Sequence, residues 1–166
     1  MTRLRLILAF QFLILLIPLN VYMWGEWLLV NIQWALFRYQ QSPYGNSLIL
    51  GHKDIMYIYL GQTTGLYNIA AALFWTAGAL VLLAGLCYTL IAINRHDSGT
   101  IRMASYCTIS GGIFFCCSAI SRFLGGFAIP VGVPVIFILG WWMYKDKTGT
   151  GETGKELDDE EVSVPE

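Results

Sequence analysis

Four long apolar stretches constrain this chain more than any other feature of its sequence. They span residues 6–24, 66–93, 103–124 and 127–144, and Arg122 is the only charged residue within them. A helix that rises about 1.5 Å per residue needs roughly 20 residues to cross a hydrocarbon core about 30 Å thick. The stretches contain 19, 28, 22 and 18 residues, so each is long enough to cross, the second with residues to spare. The sequence therefore predicts an all-α integral membrane protein with four transmembrane helices in an antiparallel bundle.

The overall composition agrees with a chain whose main solvent is lipid. Hydrophobic residues make up 56% of the sequence and charged residues 13%, whereas soluble domains carry about 25% charged residues. The four stretches contain no Asp, Glu, Lys or His. Ionisable side chains inside a membrane usually mark ion or proton pathways, so their absence argues against a coupled pump or exchanger.

The distribution of Lys and Arg predicts the orientation. Basic residues flank the first stretch on its N-terminal side, separate the second and third, and follow the fourth, which places both termini in the cytoplasm of a multi-pass protein of the cell membrane. No small-x-small cleavage site follows the first stretch, so we expect it to be retained as a helix. The predicted domains are a transmembrane domain, residues 1–144, and a disordered acidic cytoplasmic tail, residues 145–166.

The outer loop, residues 25–65, is the only long extramembrane segment on the outer side. Apolar residues at helical spacing over 26–41 predict a helix on the membrane surface. Two apolar runs around the turn at 51–54 then indicate a small β-hairpin over 48–60. Aromatic and charged side chains of this loop are candidate contacts for a protein partner: Trp34, Phe37, His52, Lys53 and Asp54.

Small residues recur every seven positions in the second and third stretches, and this repeat predicts close helix packing. In an antiparallel hairpin the expected pairs are 92 with 104, 85 with 111, 78 with 118 and 71 with 125. A seam between two copies of the chain is the alternative. The candidate packing residues are Ala71, Gly78, Gly85, Ala92, Ala104, Gly111, Ser118 and Gly125.

A few polar side chains within or beside the apolar stretches are candidates for the lining of an outer cavity. Prolines at 130 and 134 predict a kinked or unwound outer end of the fourth helix. Arg122 can extend to the interface or pair with Glu26 or Asp54 of the loop. The candidate lining residues are Gln11, Asn20, Asn68 and Arg122.

The sequence predicts no catalytic, cofactor or metal site. His52 with Asp54, and His96 with Asp97, lie in polar turns without a nucleophile motif nearby. All four cysteines fall within predicted helices and not in the outer loop, which favours packing over a disulfide or metal site.

The topology, with cytoplasmic termini and a large first outer loop, is shared with claudin-like and tetraspanin-like proteins. The outer-loop cysteines of those proteins are absent here, so topology assigns no family. We expect a non-enzymatic accessory or scaffolding subunit that contacts a partner through its outer loop. The alternatives are a small channel or transporter, which can be homo-oligomeric, and an intramembrane enzyme. The expected partners are the lipid bilayer and a protein or a second copy, with no nucleic acid.

Overall fold

The computed structural model describes residues 2–24, 29–63, 65–95 and 98–145. Within these ranges the chain forms five helices and five strands. In chain order they are α1 (Thr2–Leu16), β1 (Asn20–Trp24), β2 (Leu29–Gln33), β3 (Phe37–Ser42), β4 (Gly45–Leu50), α2 (Gly51–Tyr59), α3 (Leu66–Arg95), α4 (Ser98–Phe123), β5 (Phe127–Ile129) and α5 (Val133–Lys145). The predicted tail, apart from Lys145, lies outside the described residues. The His96–Asp97 pair also lies outside them.

The prediction of an all-α bundle of four transmembrane helices is wrong, because the chain combines helices with an antiparallel five-stranded sheet. Among the described residues, α3 and α4 are long and apolar enough to cross a membrane. Helices α1 and α5 have 15 and 13 residues and rise only about 20 Å each. The two long helices indicate association with a membrane.

The first and last apolar stretches each contain a strand as well as a helix, so the predicted spans 6–24 and 127–144 are wrong. The first stretch ends as β1, and the last begins as β5. Strand β1 pairs with β5, with Tyr22 opposite Ala128, and this pairing joins the ends of α1 and α5. Helix α5 begins only at Val133, so Pro134 lies in its first turn, where proline is tolerated. The predicted kink is replaced by a strand-to-helix junction.

A meander of four strands replaces the predicted surface helix over 26–41. The sheet has the order β4-β3-β2-β1-β5, and residues 29–33 and 37–42 form β2 and β3. Polar side chains of β2 point inward, because Asn31 and Gln33 are fully buried. This inverted polarity hides the alternation by which a half-buried strand is usually recognised.

The predicted hairpin over 48–60 is also wrong. Strand β4 ends at Leu50, and the following residues form α2. No side chain caps the N-terminus of this helix, so the usual sequence signal for a helix start is missing. Asp54 is the buried residue of α2, while His52 and Lys53 are exposed.

Helices α3 and α4 pack against each other along the stripe of small residues. A Cβ atom added to Gly78 would lie 3.3 Å from the carbonyl oxygen of Gly111, and one added to Gly85 would lie 3.3 Å from that of Ala104. Ser118 Oγ donates a hydrogen bond of 2.8 Å to the carbonyl of Ala71. The facing pairs are thus shifted by one seven-residue repeat from the expected register.

The remaining packing candidates lie at the ends of the stripe. Ala92 is fully buried in α3, whereas Gly125 lies in the exposed turn that follows α4. Trp75 of α3 and Phe115 of α4 are the largest fully buried side chains among the described residues. Trp75 Nε1 also donates to the carbonyl of Trp34 at 2.9 Å, which ties α3 to the sheet. The sheet therefore sits at one end of the helices as a fixed cap.

Candidate functional site

A polar cavity of about 240 Å³ lies where the sheet meets α2, α3 and α4. Three of its lining side chains are charged, and most of the others are polar. The charged residues come from three separate elements: Arg38 from β3, Asp54 from α2 and Arg122 from the last turn of α4. The full lining consists of Tyr22, Leu29, Asn31, Arg38, Asp54, Gln62, Thr63, Asn68, Ala72 and Arg122.

Arg38 organises one wall of this cavity. Its Nη2 donates to Asp54 Oδ1 at 2.8 Å, and its Nη1 donates to the Tyr22 hydroxyl at 2.9 Å and to Asn31 Oδ1 at 3.0 Å. Burial by itself lowers the pKa of the Arg38 guanidinium, but the interactions with Tyr22 and Asp54 outweigh burial, so its pKa is raised. The side chain remains a cation and links β1, β2, β3 and α2.

Arg122 forms the second cationic group of the cavity. Its guanidinium carbon lies 4.0 Å from the centre of the Tyr22 ring, a cation–π contact. The residue is only 7% exposed. Tyr22 therefore separates the two arginines, receiving a hydrogen bond from Arg38 at its hydroxyl and carrying Arg122 on its ring face. With Asp54 as the only described carboxylate of the lining, the charged groups there sum to one net positive charge.

Several buried polar atoms around the cavity make no hydrogen bond within the described part of the chain. They include two donors on the cations, Arg38 Nε and Arg122 Nε, and the donor Asn31 Nδ2. Asp54 Oδ2 is the corresponding acceptor. Buried polar groups normally have partners. The cluster can therefore accept further hydrogen-bonding groups.

The structure separates the five predicted partner contacts. Trp34 and Phe37 stack on each other at 4.9 Å between ring centres, and Trp34 Nε1 donates to the carbonyl of Leu16 at 3.0 Å. His52 and Lys53 are exposed on α2. Asp54 is 4% exposed and bonded to Arg38, so it is a structural residue and cannot serve as an open contact.

Two of the four predicted lining residues border this cavity, and the other two lie elsewhere. Asn68 and Arg122 line it, but Gln11 lies among the helices, with its Nε2 3.3 Å from Thr108 Oγ1. Asn20 is fully buried and donates to Gln33 Oε1 at 3.3 Å. Gln11 and Asn20 act as hydrogen-bonding groups within the packed interior.

Sequence reasoning missed Tyr22, Asn31 and Arg38, which form the centre of the site. The available signal was the polar alternation in β2, where Asn31 and Gln33 flank Ile32, together with an Arg at the facing position of β3. Gln33 pairs with Arg38 in the ladder between the two strands. The predicted surface helix over 26–41 did not bring Asn31 and Arg38 together with Tyr22, which lay in the first predicted span.

A second concavity, of about 510 Å³, lies between α2 and α3 and is almost wholly apolar. Trp75 and Leu80 of α3 line one wall, and Leu50 and Ile55 line the other. His52 is its only titratable lining residue within the described part of the chain.

Other kinds of site find no support in the described ranges. No group of three or more His, Cys, Asp or Glu side chains there could hold a metal ion. Cys87, Cys107, Cys116 and Cys117 are free thiols in α3 and α4. No protein-family model, no curated protein sequence and no solved structure matches this chain.

Proposed function

We propose that this chain is a multi-pass integral membrane protein that acts as an accessory or scaffolding subunit and binds a partner chain through the open edge of its sheet. Helices α3 and α4 cross the bilayer as an antiparallel pair, with α1 and α5 packed beside them. Arg5, Arg102 and Lys145 lie near the helix ends remote from the sheet. By the positive-inside rule the sheet faces outward and both chain ends face the cytoplasm.

The exposed edge strand β4 supports the binding of a partner chain. It is the last strand of the sheet and pairs with β3 on one side only, among the described strands. Its residues 45–50 include no charged residue and no proline, the features that usually protect an edge strand from pairing. All of its residues except Ile49 are exposed. Such an edge is suited to the addition of a strand from another chain.

The hydrogen-bond pattern identifies which backbone groups are available on this edge. In an antiparallel ladder, residues bonded to the neighbouring strand alternate with residues whose N–H and C=O point away. Gly51 N–H donates to the carbonyl of Leu36 at 3.0 Å, in the same register as the ladder of β3 and β4. Alternation then directs Ile49 and Ser47 toward β3. The N–H groups of Leu48 and Asn46 point outward.

Exposed apolar side chains next to the edge add contact area for a partner. Tyr44 is 100% exposed and Leu48 57%. On α2, which directly follows β4, Met56 and Tyr59 are 55% and 88% exposed. The channel or transporter alternative gains no comparable support, since the candidate polar residues do not form one path.

The test replaces one outward donor without touching the ladder. Leu48→Pro removes the outward N–H, and proline is tolerated on the free side of an edge strand. Leu48→Ala is the matched control, because it shortens the same side chain but keeps the N–H. Intact wild type and both variants are purified from the native membrane in mild detergent, and the composition and mass of each complex are measured.

We expect a stoichiometric partner, either another protein or a second copy, that is retained by Leu48→Ala and lost in Leu48→Pro. Thermal unfolding of the purified variants checks that each remains folded. A monomer without partner in the wild type, or a complex that withstands Leu48→Pro, would exclude strand addition at β4.

A further inference from the structure

The charged groups of the polar cavity do not balance within the described residues. Asp54 already accepts a charge-assisted hydrogen bond from Arg38 at 2.8 Å. Arg122 contacts the Tyr22 ring, and no described carboxylate lies within salt-bridge distance of it. A buried cation without a counter-ion is costly even when an aromatic ring lies beside it. The site therefore favours an added negative group.

Hydrogen-bond donors in the same cavity as Arg122 also favour a negatively charged ligand. Asn31 is fully buried and lines the cavity, its Oδ1 is used by Arg38, and its Nδ2 has no partner within the described residues. Arg122 is 93% buried. Its Nε also has no hydrogen-bond partner within the described residues. Guanidinium and amide donors together recognise the oxygen atoms of carboxylates and phosphates.

The size and charge of the cavity restrict the ligand. One water molecule takes about 30 Å³ in the liquid, so a cavity of about 240 Å³ has room for roughly eight. A small oxyanion group fits this space. One net positive charge, with the Asp54 carboxylate close by, balances a monoanion and disfavours a dianion.

We propose that the cavity binds one monoanionic oxyanion group, with Arg122 as its counter-ion and the Asn31 amide as an additional donor. A small carboxylate from the outer medium and the phosphodiester of an anionic lipid present the same chemistry. The cavity lies at the end of α4 next to the sheet, where either source can approach. Binding in this cavity does not require a partner at β4.

The experiment uses the intact protein in nanodiscs and has two arms. In neutral phosphatidylcholine discs, sodium acetate and sodium lactate are titrated at constant ionic strength, with chloride as the balancing anion. The thermal unfolding midpoint reports binding, because a ligand that binds only the folded state raises it. In the second arm phosphatidylglycerol replaces part of the phosphatidylcholine. A rise with carboxylate identifies a free anion, and a rise with phosphatidylglycerol alone identifies a lipid headgroup.

Two variants locate the binding at this cavity. Arg122→Gln should weaken the apparent affinity at least about tenfold, since it removes a charged hydrogen-bonding partner. Gln62→Glu places a negative charge at an exposed position of the lining and should also weaken binding about tenfold. It leaves the buried cluster intact, so it decides the question if Arg122→Gln does not fold. Arg102→Gln, at an exposed position near the other end of α4, is the control and should bind as wild type.

Three results would overturn the proposal. The first is no midpoint shift with acetate, lactate or phosphatidylglycerol. The second is a shift of the same size in wild type, Arg122→Gln and Gln62→Glu, which would show a general salt or lipid effect. The third is binding that appears only after Glu26→Gln, which would identify a carboxylate of the chain itself as the counter-ion of Arg122.

Discussion

The ion pair between Arg38 and Asp54 should be the most sensitive polar contact of the outer region. It joins β3 to α2 at 2.8 Å, with side-chain exposures of 14% and 5%. Asp54→Asn keeps the shape of the side chain but removes its charge. Arg38 then remains buried without its carboxylate, and the described cavity lining holds two positive charges and no negative charge.

The expected loss follows from the burial of the pair. Removing one partner of a buried salt bridge typically costs about 3–5 kcal/mol, because the remaining charge is uncompensated. Arg38 keeps its hydrogen bonds to Tyr22 and Asn31, so we expect the lower end, about 3 kcal/mol. Replacing both partners by apolar residues, Arg38→Met with Asp54→Leu, should recover most of that loss, since such replacements are often near neutral.

The free energy of unfolding would be measured by equilibrium unfolding in mixed micelles, with tryptophan fluorescence as the signal. Lys53→Gln, at the exposed neighbouring position on α2, is the control and should change stability by less than about 0.5 kcal/mol. A double-mutant cycle with Arg38→Met and Asp54→Leu isolates the coupling between the two residues. An Asp54→Asn variant as stable as the control, or a cycle without coupling, would refute the structural role assigned to the pair.

Two further substitutions test the packing that holds the sheet and the helices together. Gly132→Ala should destabilise the fold by about 3 kcal/mol, because the new Cβ would lie 2.5 Å from the carbonyl oxygen of Pro18. Gly51→Ala is its control. The Cβ of that variant would meet nothing closer than 3.5 Å, so its stability in the same unfolding assay should be close to that of wild type. Ser118→Ala removes the hydrogen bond to Ala71 between α3 and α4 and should cost about 0.6 kcal/mol. Ser121→Ala is its control, and equal stability of the two serine variants would contradict the observed register.

The long central helices were the part of the fold that the sequence predicted best. The apolar stretches 66–93 and 103–124 correspond closely to α3 and α4. The small-residue repeat marked the faces that meet, but it could not fix their register. A seven-residue repeat looks the same after a shift of seven, so the two alignments are distinguished by tertiary contacts such as the hydrogen bond from Ser118 to Ala71 and the packing of Phe114 and Phe115 against Gly78.

The sheet could not be predicted from hydropathy, for a physical reason. Residues 6–24 and 127–144 contain no charged residue, yet each run changes from helix to strand or from strand to helix. Buried strands and buried helices have the same hydropathy when both faces are covered. The short strand β5 is fixed by its pairing with β1, a contact between distant parts of the chain. The residues around β5 give no local sequence signal for this pairing.

The candidate site shows the same limit at the level of single residues. The sequence predicts that Arg122 extends to the interface or pairs with Glu26 or Asp54. In the structure Tyr22 and Arg38 stand between Arg122 and Asp54: Arg122 contacts the ring of Tyr22, and Asp54 binds Arg38. The four residues come from β1, β3, α2 and α4, so only the tertiary fold brings them together.

The polar cavity and the open edge of the sheet are physically close. Arg38 of the cavity lies opposite Ile49 of β4 in the ladder, and α2, which carries Asp54, directly follows β4. A ligand in the cavity that shifts Arg38 would also shift β4 and so change the affinity of β4 for a partner. By linkage, a partner bound at β4 would then change the affinity of the cavity for its ligand by the same factor. The proposed variants separate the two effects, because Leu48→Pro leaves the cavity lining unchanged and Gln62→Glu leaves the strand unchanged. Anion affinity measured in wild type with and without partner, and in Leu48→Pro without partner, therefore determines whether the two sites are coupled.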